Sequence, residues 1–191
     1  MAAEVSDPAV RYGVIDGFCA MWRFKLTNII RSDYTIATEQ MIRYPLSATN
    51  SSYTFSFWAF PETRFADVLT GYFKFSRDYY QQKGYRTNML SVGYRVAQDQ
   101  KSLLSYSFDG NAMTVDPVST ANPGWEAFLD AYNELCSNQG GIPLFNQTAR
   151  VTAGQAQKGL GERLKSFAKT RKNYDPDNRL LNGFFRDLLG A

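Results

Sequence analysis

Residues 88–116 read NMLSVGYRVAQDQKSLLSYSFDGNAMTVD, and how this stretch alternates decides the fold. Across 88–96, Leu90, Val92, Tyr94 and Val96 share one parity, while Met89, Ser91, Gly93 and Arg95 share the other. Successive side chains of a strand point to opposite faces, so the spacing predicts a strand with one apolar row. Leu104, Tyr106 and Phe108 repeat the pattern in 102–108, with Ser105 and Ser107 opposite. Asp109-Gly110 is a hairpin signal. It leads into 112–116, where Met113 and Val115 alternate with Ala112, Thr114 and Asp116. The stretch reads as two or three meandering antiparallel strands.

Upstream, SSYTFSFWAF (51–60) is aromatic and β-branched, which predicts another strand. Between the two lies a helix with Pro61 at its start and Gly84 at its stop; Phe65, Val68, Leu69, Tyr72, Tyr79 and Tyr80 fall on one of its faces. Downstream, Trp125, Phe128, Leu129, Tyr132, Leu135 and Cys136 keep helical spacing until Gly140-Gly141. Thr152 with Gln155 forms a capping box, predicting one last long helix to about Arg171. Residues 1–48 carry Trp22, Phe24, Leu26, Ile29 and Ile30 without a clean period, and read as an irregular or partly helical lead segment. Strand, helix, strands, helix over 49–191 predicts an α+β domain. Its antiparallel sheet has about four strands with the helices packed on one face, a split β-α-β, ferredoxin-like arrangement.

With the apolar rows under the helices, the other face is expected to show Ser91, Gly93, Arg95, Ser105, Ser107 and Thr114. Such a face is either a ligand platform around one arginine or a solvated surface. Arg95 suits an anion or carbonyl partner, and equally a surface position. Gly93 marks close approach by a ligand or another backbone, or else a bulge.

The bulk numbers narrow the functional classes. The chain has 191 residues, no histidine and two cysteines, Cys19 and Cys136, without CxxC spacing. The commonest general base is missing, and a zinc or dithiol site is disfavoured; no metal site is expected. Cys136, on an apolar helical face, reads as an inert thiol. A net charge of +3 is too small to imply a nucleic-acid partner. No run reaches the roughly 18 apolar residues of a membrane span, and the acidic opening is unlike a secretory signal. A reducing, cytoplasmic location is therefore expected, with the sequons at Asn50 and Asn146 arising by chance. The basic run from Arg150 to Lys172 lacks the aromatics needed for base stacking and reads as a solvated helix face. No phosphate-loop or nucleophile-elbow motif is present.

The chain closes on YDPDNRLLNGFFRDLLG (174–190), a strong turn running into an apolar tail that must dock on something. This tail, with GWEAFLDAYNELCSNQGGIPLFNQTARVT before it, resembles the C-terminal end of FAD-linked oxidases of the vanillyl-alcohol-oxidase superfamily. The match lies in Asp175, Pro176, Leu180 or Leu181, and Asn182. The strand region, SSYTFSFWAF onward, is most similar to the substrate-binding domain of covalently flavinylated cholesterol oxidases, so that the resemblance covers roughly 50–191.

The resemblance implies a cap domain over an apolar, sterol-like alcohol, with the FAD held mainly by a domain absent from this chain. The histidine that anchors flavin in that class has no counterpart here. The chain therefore looks like a fragment, a truncated product or one half of a split enzyme with a flavin-domain partner chain. In related alditol oxidases an E-x-R pair faces the flavin. Gly93-Tyr94-Arg95 keeps only the arginine, and Glu62-Thr63-Arg64 matches literally at a helix start. Pro143-Leu144-Phe145-Asn146-Gln147 replaces a polar segment of the family, favouring a larger apolar substrate. The resemblance thus implies catalytic roles for Arg95 and for an asparagine, Asn111 or Asn146. Ser91, Gly93, Ser105, Thr114, Phe145 and Gln147 are the expected substrate contacts, and Asn182 the expected cofactor contact. The alternative is a non-catalytic orphan cap that holds an apolar ligand or a protein partner. With no flavin domain to cover it, the tail is expected to pack on the local sheet or to pair two chains as a homodimer.

Overall fold

The computed structural model describes residues 7–29 and 54–190. Residues 30–48, the sequon at Asn50 and the start of the predicted strand at 51–53 lie outside the described residues. The fold is α+β, with six helices and two antiparallel sheets among the described residues.

The long N-terminal helix α1 (Pro8–Ile29) stands where 1–48 had shown no period. Strand β1 (Thr54–Phe55) precedes β2 (Trp58–Pro61), and a 3-10 turn (Glu62–Arg64) leads into α2 (Phe65–Lys83). Gly84 ends α2 in the left-handed conformation, as the sequence predicts. Then come β3 (Arg95–Val96), β4 (Ala112–Val115), β5 (Val118–Ser119), α3 (Trp125–Asn138) and β6 (Ile142–Pro143). The main sheet has the order β3-β4-β2-β6, every neighbour antiparallel, while β1 pairs with β5 in a small second sheet. With α2 after β2 and α3 after β4, this is the β-α-β-β-α-β connectivity of a split β-α-β fold.

One layer of the core is aromatic. Trp58 and Phe60 of β2 and Val115 of β4 pack against Val68 and Tyr72 of α2 and Phe128, Leu129 and Tyr132 of α3. Inside this layer Asn133 is a polar hub. Its Oδ1 accepts from Ser56 Oγ and from Trp58 Nε1, and its Nδ2 donates to the Ala149 carbonyl. Cys136 lies fully buried here, and burial pushes its thiol up, as expected of an inert group.

Two elements differ from the reading of the sequence. Residues 102–108 form turns rather than a strand, and the fourth strand is β6. Both edges of β4 are already taken, by β2 and β3. The serines instead bond locally: Ser105 Oγ accepts from the Ser107 amide, and the Ser105 amide donates to the Ser102 carbonyl. Arg163 then donates to the Leu103 and Ser105 carbonyls, holding the turns in place. The predicted long last helix is in fact two, α4 (Ala153–Leu160) and α5 (Glu162–Tyr174). Gly161 divides them at φ 55°, ψ −129°, a conformation closed to most other residues.

The tail docks inside its own chain. Helix α6 (Gly183–Leu189) buries Leu188 against Ala156, Leu160 and Leu164, with Phe145 alongside. Asp175 accepts from the amides of Arg179 and Leu180 and pairs with Arg171, which fixes the preceding turn. The apolar face expected to meet a second domain or a second copy is thus mostly covered; Leu180 remains 87% exposed.

Candidate functional site

Register decides which side of the sheet each residue serves. Cross-strand partners share a face, and Trp58 pairs with Val115 while Phe60 pairs with Met113. Arg95 also pairs with Met113, and Val92 is bridged to Asp116. Ser91, Gly93 and Arg95 therefore belong to the helix-covered face, and Val92, Tyr94 and Val96 to the open face with Thr114 and Asp116. This reverses the expectation for 88–96. Ser91 meets the Tyr72 hydroxyl of α2 at 2.7 Å. Gly93 is required by a backbone: an added Cβ would lie 2.7 Å from the Thr114 carbonyl oxygen.

The open face is accordingly apolar, and it forms the floor of a cavity of about 980 Å³. Phe57, Val92, Tyr94 and Val96 come from the main sheet and its approaches, Phe55 and Val118 from the small sheet. Tyr94 stacks on Phe57 at a centroid distance of 5.8 Å, and Tyr106, delivered by the 102–108 turns, meets the same ring edge-on at 5.6 Å. Helix α1 supplies the facing wall with Val14, Ile15, Phe18 and Cys19.

Helix α1 is held there by Arg86. Its guanidinium lies 4.6 Å from the Tyr12 ring centroid and 5.5 Å from that of Tyr80, and bonds Asp16 at 2.8 Å. The Tyr12 hydroxyl accepts from the Arg86 amide and donates to the Arg86 carbonyl.

Among the lining residues Asp116 stands apart. It is 0% exposed, and only one of its carboxyl oxygens has a partner. Thr114 Oγ1 accepts from the Tyr94 amide at 2.9 Å, which leaves its own hydrogen for Asp116 Oδ2 at 3.0 Å. Among the described residues Oδ1 is buried without a hydrogen-bond partner. Burial pushes the Asp116 carboxyl up to about 7, against the opposing pull of the Thr114 bond.

The residues expected from sequence fall into separate places. Arg95 and Gln147 line the cavity, and Thr114 supports it through Asp116. Arg95 is engaged by Glu62 in a two-pronged ion pair, 2.6 and 3.1 Å, which holds the Glu62 carboxyl below its ordinary value. Asn111 sits at the same end of the sheet, its carbonyl accepting from the Glu62 amide and its side chain from the Gln98 amide. Arg95, Glu62 and Asn111 thus form one polar group, even though no acid occupies position 93.

The other expected residues lie apart from it. Asn146 is exposed in the turn after β6. Phe145 stacks edge-on against Phe184 and Phe185 of the docked tail. Ser105 is absorbed in the turns, and Asn182 is the N-cap of α6, its Oδ1 accepting from the Phe185 amide.

Sequence reasoning overlooked Asp116 and the α1 wall. Threonine and aspartate two apart on one strand, Thr114-x-Asp116, share a face, and that was the available signal. For α1 there was none, because its apolar residues are spread around the helix. The chain matches no protein-family model and no curated protein.

Proposed function

We propose that the protein is a substrate-binding domain that lodges an apolar alcohol of sterol-like size on the open face of its sheet, the part a cap domain plays in an FAD-dependent alcohol oxidase. The cavity carries this reading. Its volume of about 980 Å³ falls at the upper end of ordinary small-molecule sites, and its walls are aromatic and aliphatic with few polar groups. The polar group Arg95–Glu62–Asn111 lies at one end of the sheet, with Arg95 at the border of the cavity, and is the place where such a cap would meet a flavin held by another chain. When bound, that flavin would supply the hydride acceptor, while this chain would orient the substrate and exclude water.

One observation favours the second reading, a binding module without catalysis. The Arg95 guanidinium is already neutralised by Glu62, so it presents little net charge to a reacting group.

Pregnenolone, a sterol-like alcohol, titrated into the isotopically labelled chain tests the shared core of both readings. Shifts should concentrate at Val92, Tyr94, Tyr106 and Gln147. Shifts confined to the basic surface of α5 would overturn the cavity reading. Loss of binding in Arg95→Ala would favour the catalytic version, whereas unchanged affinity would favour the plain binding module.

A further inference from the structure

We infer that Asp116 is the polar anchor of this cavity, and that its Oδ1 hydrogen-bonds a single uncharged hydroxyl on an otherwise apolar ligand. The inference rests on the cavity reading above and names the chemistry that the cavity selects.

The buried Oδ1 has no partner among the described residues, although buried polar atoms nearly always have one. The Thr114 hydroxyl fixes the other oxygen, so the carboxyl cannot rotate away to satisfy itself within the protein. Asp116 lies on the open face among the side chains that line the cavity, and its Oδ1 is covered there, so a ligand hydroxyl meets it by displacing the side chains over it. A ligand hydroxyl is both donor and acceptor, and so can partner Oδ1 whichever way the carboxyl proton lies.

The surroundings favour an uncharged ligand. Tyr72, Tyr132 and Cys136, the titratable groups near Asp116 on the helical side, are all shifted further towards their neutral forms. Cys19, Tyr94 and Tyr106 line the cavity with it, and the one cation among the described lining residues, Arg95, is held by Glu62. Asp116 is already closed to water, and an apolar ligand filling the cavity replaces the solvent beside it with hydrocarbon. That penalises the ionised carboxylate further, so binding of a neutral ligand and retention of the carboxyl proton reinforce each other. Since burial already pushes this carboxyl up to about 7, the coupling falls in a convenient range.

The test uses the full chain and three probes: 1-decanol, decylammonium and pregnenolone. Occupancy is read by protection of Cys19 from a maleimide, and the Asp116 carboxyl is followed by carbon NMR. The expected result is that 1-decanol protects Cys19 and raises the Asp116 titration midpoint, binding about tenfold more weakly near pH 8.5 than near pH 6. Asp116→Asn should keep the binding, because an amide still hydrogen-bonds, but lose the pH dependence. Asp116→Leu should weaken 1-decanol about tenfold, the usual effect of one lost hydrogen bond.

If 1-decanol protects Cys19 while the Asp116 midpoint stays put and Asp116→Leu binds as well as wild type, the anchor is overturned and the cavity stands. If decylammonium binds more tightly than 1-decanol above neutral pH, the site selects cations and the inference is again overturned. If neither 1-decanol nor pregnenolone protects Cys19, the cavity reading falls and the anchor with it. The midpoint measurement on wild type keeps the inference falsifiable even if a variant fails to fold.

Discussion

Asp116 exacts a stability cost that depends on pH. Its carboxyl is raised from 3.8 to about 7 by burial, so from about pH 4 to about pH 7 the folded chain holds a proton that the unfolded chain has released. Stability therefore falls as pH rises through that window, and above it the full penalty remains. A shift of this size corresponds to on the order of 4 kcal/mol. Asp116→Asn keeps a polar group for Thr114 and removes the ionisation. The variant should gain stability over wild type near pH 8 and match it near pH 4, measured by urea denaturation at both. A wild-type curve flat across that range would contradict the assignment. Gly93 makes the complementary point, because its absent side chain is what lets β3 lie close to the Thr114 carbonyl.

At the scale of elements, the helices α2 and α3, the strand β4 and the capping box at Thr152 were legible in the sequence because each carries its own local signal. The face of β3 was not. Both parities of 88–96 were available, and a shift of one residue exchanges every side chain between faces. The polar parity is accommodated on the helical side because Tyr72 and Glu62 satisfy Ser91 and Arg95 there. The apolar parity is then left to line the cavity. Residues 102–108 show the same limit, since β4 next along the chain already has both edges paired and the serines and Arg163 hold the segment in turns instead. Of the expected site residues, Thr114 and Gln147 serve the open face, while Arg95 borders the cavity with its side chain held by Glu62 beside Asn111. Phe145 and Asn182 went to the tail, a long-range packing that spacing alone does not encode. For that tail the structure sets a definite expectation: Leu188, 4% exposed, packs on α4 and α5. Leu188→Ala should cost about 2–4 kcal/mol in urea denaturation. A loss well under 1 kcal/mol would mean the tail docks only loosely.

Across the whole molecule, the aromatic layer between the sheet and α2 and α3 is built from residues after 57, while the wall of the cavity comes from α1. The two are joined by the clamp of Tyr12 and Arg86, 74 residues apart in sequence. Helix α1 pairs with no strand and leaves Val14, Phe18 and Trp22 largely exposed, so little apolar burial holds it beyond the clamp. The expected order is that the sheet and its two helices form first, and that the cavity acquires its far wall when α1 is captured. Arg86→Ala should therefore leave the stopped-flow refolding rate of the domain almost unchanged while raising amide exchange throughout α1, the behaviour of contacts formed after the rate-limiting step. A markedly slower refolding rate would place the clamp in the nucleus instead. Late capture also gives the site a kinetic character of its own. A ligand too broad to pass a finished entrance can settle on the exposed sheet first and be enclosed afterwards, so that its escape is timed by the release of α1 rather than by its own affinity for the floor.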